Sequence, residues 1–264
     1  MRGLESGYQI CLTAMSADEI ISITKNSQRR EALLNRFGWL LSNARCIWPP
    51  NEVARLHIIA YQNDPVRYDW RRVDVRARAY EDAIPRRTYL NDVSSAQRKV
   101  QFELEGQWTK SWNSLRPKLA EIITRDPSQR LSNFGEAAEA STKPGGVLWG
   151  FGIGLYKHAL EGRAPELSDA EIKAFIDVCP PFRAACFALV KAWFNHSLCP
   201  THDGTPKAGR NDLMMAAYLP YCDKFLTQDY AQRRDLSDIC SVADIPSEVI
   251  FFQEFSEGFN PVIK

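Results

Sequence analysis

The chain has 264 residues, which is enough for one large domain or two small ones with a well-buried core. Its 33 lysine and arginine residues nearly balance its 32 aspartate and glutamate residues, so any nucleic-acid binding must come from local patches. No apolar run reaches the ~18 residues of a membrane span, and the first residues lack the layout of a secretory signal, so we expect a soluble cytoplasmic protein without membrane contact.

Seven cysteines are scattered among apolar residues without a Cys-x-x-Cys pair, which predicts reduced thiols in the core. Three potential zinc ligands lie close together at His196, Cys199 and His202. They lack a fourth partner and a known ligand spacing, so an ordinary loop is favoured over a zinc site.

Four elements are predicted in the N-terminal quarter. The apolar spacing from Thr13 onward indicates a helix with one buried face. A second helix is predicted over 27–41, a strand over 44–48 and a third helix over 51–61, with Asn51 as its N-cap.

An arginine-rich run begins after Pro65. Its arginines are Arg67, Arg71, Arg72, Arg76 and Arg78, and the aromatic residues beside them are Tyr68, Trp70 and Tyr80. Guanidinium groups beside aromatic rings suit the phosphates and bases of a single-stranded nucleic acid. Asp69 and Asp74 also allow ion pairs at helical spacing, so a solvated helical face is the alternative.

The middle of the chain is predicted to be mainly helical. The expected elements are helices over 94–124, 168–178 (opened by a capping box) and from Phe182, with a flexible loop over 132–146. Gly150, Gly152 and Gly154 alternate with large apolar residues. Their spacing is not that of a dinucleotide-binding loop, so we predict close backbone packing there.

Near the C-terminus, Asn211 and Asp212 open a predicted apolar helix that Pro220 ends, and a strand follows over 224–227. Asp229 comes directly after that strand, where parallel α/β sheets place their ligand groups. The remaining predicted elements are a helix over 233–240 and a closing strand over 248–252.

The run NDLMMAAYLPYCDKFLTQD, residues 211–229, resembles the C-terminal signature of PIN-domain nucleases: an Asp opening a helix of small apolar residues, a strand, then Thr-x-Asp. The stretch YQICLTAMSADEIISI is similar to the helix that carries the family's Glu, and it places Glu19 at that position. The resemblance implies an α/β fold with a PIN-like parallel sheet flanked by helices. Residues 1–64 and 208–264 would form that domain, and residues 65–207 a large, mainly helical insertion.

The resemblance also implies a nuclease in which Glu19, Asp212 and Asp229 bind Mg²⁺ or Mn²⁺ and hydrolyse phosphodiester bonds, of RNA more often than of DNA. These hard cations prefer carboxylate oxygens, and they acidify water and polarise phosphodiesters. The family's first-strand Asp has no counterpart in the stretch Met1–Ser6. We therefore expect that this strand is missing from the sequence or that the ligand has been lost.

Two other interpretations stay open. The chain could be a catalytically inactive PIN-like module that binds nucleic acid, a protein partner or an inhibitor, which the missing Asp and the aromatic middle favour. It could instead be a wholly helical scaffold, which would lack parallel pairing between the strands near 224–227 and 248–252. Oligomerisation is left open by the sequence.

Overall fold

The structure, a computed structural model, describes residues 9–21, 23, 25–42, 44–86, 131–160, 167–198 and 208–257, with isolated positions between 103 and 117. The chain forms two compact units, each made of two chain segments. The first unit comprises Met1–Val53 and Asp74–Gly106, and the second comprises Ala54–Val73 and Gln107–Lys264. The predicted boundaries after residues 64 and 207 therefore do not coincide with the limits of these units.

The first unit combines a two-stranded parallel sheet with helices. Its elements are β1 (Ile10–Thr13), α1 (Ala14–Ile21), α2 (Ser27–Leu41), β2 (Ala44–Ile47), the start of α3 (Pro50–Asn63) and α4 (Arg78–Arg86). Strand β1 pairs with β2 in parallel, with Ile10 opposite Ala44 and Thr13 opposite Ile47. Its core consists of Ala14, Ala17, Ile21, Leu34, Phe37, Leu41, Cys46, Ala77, Tyr80 and Ile84.

Local sequence signals account for most of this unit. The predictions of α1, α2 and β2 are confirmed, and the hydroxyl of Thr13 accepts the N–H of Ser16 at 3.1 Å to cap α1. Helix α3 begins at Pro50, so the prediction that Asn51 is its N-cap is wrong. Proline fits the first turn of a helix because its fixed φ is already helical and its missing N–H is not needed there.

The second unit is built around one buried helix. Its elements are the end of α3, a 3₁₀ turn (Trp70–Arg72), α5 (Phe134–Thr142), α6 (Val147–Leu160), α7 (Asp169–Val178), α8 (Pro180–Trp193), a π-helical segment (Phe194–Leu198), α9 (Arg210–Met214), a 3₁₀ helix (Met215–Tyr221), β3 (Lys224–Thr227), α10 (Tyr230–Ala243), β4 (Glu248–Phe251) and α11 (Phe252–Glu257). Helix α8 is buried over most of its length and packs against α6, α10 and the 3₁₀ helix before β3.

Strands β3 and β4 confirm the predicted parallel pairing. Lys224 lies opposite Glu248, and Thr227 lies opposite Phe251. This pairing contradicts the wholly helical interpretation. Helices predominate in the described residues beside these two small parallel sheets, an α/β composition in which helix outweighs strand.

The predicted loop over 132–146 is wrong, because α5 occupies most of it. Asn133 accepts the N–H of Glu136 at 3.0 Å and so caps the helix. Phe134, Ala137 and Ala138 are buried, and this packing outweighs the small polar residues that suggested a loop. The helix predicted over 94–124 falls largely outside the described residues.

The predicted close packing of the glycine-rich stretch is confirmed at Gly152, on α6. A Cβ at this residue would lie 2.3 Å from Cδ1 of Ile176 on α7 and 3.5 Å from the sulfur of Cys186 on α8. At Gly150 and Gly154 no atom of the described residues lies within 4 Å of that position. The stretch therefore brings one glycine of α6 close to the side chains of two helices.

Gly146 gives a test of the turn between α5 and α6. A Cβ at Gly146 would lie 2.2 Å from the carbonyl oxygen of Ser141, which is backbone and cannot rotate away. We expect Gly146→Ala to lower the free energy of unfolding by about 2 kcal/mol in urea titrations. The matched change Gly150→Ala should instead be neutral or stabilise by up to about 1 kcal/mol, since it only improves helix propensity. Equal stabilities of the two variants would contradict the crowding at residue 146.

Candidate functional site

Asp229 lies where the sequence predicted, directly after β3, and it is the N-cap of α10. Its Oδ1 accepts the backbone N–H of Gln232 at 2.7 Å. Its own N–H donates to the hydroxyl of Thr227 at 3.0 Å. The residue is exposed, so its carboxylate is fixed at the carboxyl end of β3 and remains open to solvent.

Asp212 lies in the first turn of α9, which begins one residue earlier than predicted. Its Oδ2 accepts the N–H of Gly209 at 3.1 Å, and the residue is half-buried. The single helix predicted from Asn211 is in fact the five-residue α9 followed by a 3₁₀ helix. Pro220 lies inside that 3₁₀ helix and does not end it, since the helix continues to Tyr221.

Gln232 connects the two aspartates. Its side-chain N–H donates to the backbone carbonyl oxygen of Asp212 at 3.4 Å. Its side-chain oxygen, Oε1, accepts the hydroxyl of Thr227 at 2.6 Å. Because its backbone N–H is held by Asp229, one buried residue ties together the end of β3 and the starts of α9 and α10. The sequence interpretation missed Gln232, although Asp-x-x-Gln at a helix start is the spacing of a capping pair.

Glu19 lies on α1 in the first unit and is exposed. Its neighbour Asp18 is half-buried and accepts the hydroxyl of Tyr80 at 2.9 Å. Asp212 and Asp229 lie together in the second unit. Within the described ranges, no group of three or more His, Cys, Asp and Glu side chains is arranged to hold a metal ion.

A shallow, open cleft of about 300 Å³ lies at the end of β3, and it is lined by Leu226, Thr227, Gln228 and Phe252. One lining residue is aromatic and exposed, and a second exposed ring lies near the cleft in sequence. Phe252 is 50% exposed and Tyr230, the residue after Asp229, is 78% exposed. The carboxylate of Asp229 is thus next in sequence to an exposed aromatic ring and close in sequence to the residues that line the cleft.

A third ring, that of Phe251, packs against both Tyr230 and the cation Arg233. The ring of Tyr230 lies 4.9 Å from that of Phe251, and the guanidinium of Arg233 lies 4.3 Å above the Phe251 ring. Arg233 also donates to Glu254 at 3.0 Å. Stacking of the guanidinium on the ring and pairing with the carboxylate hold this arginine against the β4 end of the sheet.

The arginine-rich run is not one helix, so its arginines do not form the single helical face that was the alternative interpretation. The run passes through a turn, the 3₁₀ turn at Trp70–Arg72 and an isolated bridge at Arg76 before α4 begins at Arg78. Its arginines are divided between the two units. The run does not form one helix because the acids between the arginines cap short turns instead. For example, the carboxylate of Asp69 accepts the backbone N–H of Arg71 at 3.1 Å.

The predicted ion pairs within this run are confirmed. Arg72 pairs with Asp69 at 3.3 Å, and Arg78 pairs with Asp74 at 2.8 Å. Arg76 donates to both carboxylate oxygens of Glu81 at 2.8 Å. Arg72 and Arg78 are largely exposed, so each of their pairs contributes at most about 1 kcal/mol.

The cysteines are free thiols wherever the structure describes them, but Cys11 is exposed, so the predicted core location is wrong for that residue. Cys46, Cys179, Cys186 and Cys240 are buried, and burial raises the pKa of the Cys46 and Cys179 thiols to about 12. Of the three potential zinc ligands, His196 lies in the π-helical segment, whereas Cys199 and His202 fall outside the described residues.

A buried histidine that the sequence interpretation did not single out lies in the second unit. His57 is fully buried, with Nδ1 at 2.7 Å from the hydroxyl oxygen of Tyr68 and Nε2 hydrogen-bonded to the hydroxyl of Tyr221. Burial lowers the pKa of His57 to about 4. The ring is therefore neutral at pH 7, and a neutral imidazole accepts one hydrogen bond and donates one, which matches two hydroxyl partners.

Comparison of the chain with protein-family models, with curated proteins and with solved structures finds no match. Among the helices formed by the described residues, none has the length and apolar character needed to cross a lipid bilayer.

Proposed function

We propose that the chain is a PIN-like, metal-dependent nuclease that hydrolyses RNA, with Asp212 and Asp229 as its metal-binding carboxylates. The observation that supports this proposal most is the connection through Gln232, which holds both aspartates at the end of a parallel strand. That end of a parallel sheet is where α/β proteins bind ligands. Both aspartates lie in the second unit, so the proposal does not depend on Glu19.

The donors suit a hard divalent cation. Mg²⁺ is commonly held by one or two carboxylates while it keeps several waters, and Mn²⁺ accepts the same oxygen ligands. One oxygen of each aspartate accepts a backbone N–H, which restricts the carboxylate to a single orientation. When bound, the ion would supply Lewis-acid stabilisation of charge on the phosphodiester.

The surroundings favour a single-stranded substrate. Unpaired bases stack on exposed aromatic rings, and Tyr230, which follows β3, and Phe252, which follows β4, offer such rings. Stacking of this kind contributes about 1–3 kcal/mol for each base and is tolerant of sequence. We therefore expect preference for unstructured RNA over duplex RNA.

The test compares Asp229→Asn and Asp212→Asn with the wild type on a labelled single-stranded RNA in Mn²⁺ or Mg²⁺. Asparagine retains the oxygen that accepts the backbone N–H, so the helix starts are preserved while the negative charge is lost. We expect each variant to cleave at least about 10–100-fold more slowly, since the loss of a residue that only supports a metal ligand already has an effect of that size. The exposed Asp223, before β3, provides the control Asp223→Asn, which should cleave like the wild type. Equal cleavage by all four proteins would sink the proposal.

A second candidate is a PIN-like module that binds nucleic acid or a protein without cleaving. It is favoured by the capping hydrogen bonds of Asp212 and Asp229, which give both carboxylates a structural role. Calorimetric titration with Mn²⁺ separates the two candidates. Micromolar binding that is lost in Asp229→Ala supports the nuclease, whereas RNA binding without metal binding or cleavage supports the module.

A further inference from the structure

Helix α10 carries a second acidic pair, distinct from the candidate site, that surrounds a buried lysine. The Nζ of Lys191 on α8 lies 2.5 Å from Oδ2 of Asp238 and 3.5 Å from Oδ1 of Asp235. It also lies 4.5 Å above the ring of Phe134 and 5.5 Å above that of Phe194. Two carboxylates and two aromatic faces thus offset the cost of burying this cation.

Asp235 is the centre of this cluster and makes further contacts. It is 0% exposed. Its Oδ1 accepts from Arg234 at 2.9 Å, and its Oδ2 accepts the side-chain N–H of Asn195 at 2.8 Å and the backbone N–H of Ala208 at 3.3 Å. The last contact fixes the buried backbone that leads, through Gly209, into α9 and Asp212.

We propose that Asp235 is a positioning residue for Asp212, a role that rests on the proposed function. Asp229, Gln232 and Asp235 are three residues apart on α10 and share one face of the helix. From that face Asp235 holds the N–H of Ala208, and Gln232 holds the carbonyl oxygen of Asp212. The chain from 208 to 212 is thus fixed at both ends by one helix, the same helix that Asp229 caps.

An ion pair that only stabilises the core would make a different prediction. Its loss would lower stability throughout the unit without a specific effect on residues 208–214. A positioning role requires that removal of the acceptor for Ala208 loosens this segment and weakens the metal site, even when global stability is retained.

Two matched double variants separate these cases, because each removes the buried lysine and the buried carboxylate together and so leaves neither of these buried charges unpaired. Asp238 and Arg234 lose a partner in both variants alike, and both are partly exposed to solvent. Lys191→Met/Asp235→Asn retains an oxygen that can accept from Ala208, whereas Lys191→Met/Asp235→Leu does not. We measure hydrogen exchange of peptides that cover residues 208–214 and Mn²⁺ affinity by electron paramagnetic resonance. We expect the Asn variant to stay close to the wild type, and the Leu variant to exchange about tenfold faster there and to bind Mn²⁺ about 10–100-fold more weakly.

Ala208→Pro provides an independent comparison, since it removes the donated N–H, and also fixes φ at residue 208, while Lys191 and Asp235 stay in place. It should reproduce the faster exchange of the Leu variant, and it decides the question if the Leu variant does not fold. Unchanged exchange in residues 209–214 of these variants overturns the positioning role. If the wild type binds no Mn²⁺, the proposed nuclease function fails, while the exchange comparison still decides the role of Asp235.

Discussion

Replacing Lys191 by methionine is expected to lower the free energy of unfolding by about 3 kcal/mol. The substitution leaves the carboxylate of Asp235 fully buried without its lysine. Removal of one partner from a buried pair typically costs about 3–5 kcal/mol. Hydrogen bonds from Arg234 and Asn195 remain, which places the expected loss at the lower end of that range. Urea unfolding followed by circular dichroism measures it.

The double variant Lys191→Met/Asp235→Asn should recover more than half of this loss, because no buried charge is left unpaired. Lys157 on α6 is exposed, and Lys157→Met serves as the control that changes stability by no more than about 0.5 kcal/mol. Additive losses in the double variant would mean that Lys191 and Asp235 do not interact energetically.

His57 is expected to make the protein about 3 kcal/mol less stable at pH 4 and below than at pH 8. Its pKa is lowered from 6.5 to about 4 by burial. Between these two values the unfolded chain binds a proton that the folded chain does not, so the free energy of unfolding falls as the pH decreases through this window. A difference of about 2.5 pKa units corresponds to about 3 kcal/mol.

The measurement is a series of urea titrations between pH 4 and pH 8. His57→Gln has no titrating ring. In this variant, the slope of the free energy of unfolding against pH between pH 6.5 and pH 4 should decrease by the amount that corresponds to about one bound proton. An identical slope in wild type and His57→Gln would show that His57 does not titrate differently in the folded and unfolded states.

The parts of the fold that were predictable depend on signals a few residues apart. The capping box Ser168–Glu171 is formed as predicted, with the N–H of Ser168 donating to Glu171 at 2.8 Å. The position of Asp229 was predictable because it follows from where β3 ends. Strand β1 was missed, because its four residues run directly into α1 and leave no turn signal between strand and helix.

The remainder depends on contacts between residues far apart in sequence. The hydrogen bond of Gln232 to Asp212 spans 20 residues, and that of Asn195 to Asp235 spans 40. No local pattern distinguishes these polar residues from solvent-exposed ones on an amphipathic helix. Burial of Lys191 is equally hidden, since a lysine in an apolar helix is usually placed at the surface.

The order in which the two units receive their residues has a consequence for synthesis on the ribosome. Residues 54–73 belong to the second unit, and their partners are made much later: Tyr61 packs on Phe175 at 5.0 Å and His57 binds Tyr221. His57 also binds Tyr68, which is made early. At a synthesis rate of about 5–20 residues per second, Tyr221 is added roughly 8–30 s after Tyr68. During that time the segment emerges with its aromatic side chains uncovered, while the first unit can already close. We expect nascent chains stalled between residues 106 and 175 to recruit holding chaperones through this segment, and crosslinking of such stalled chains would detect it.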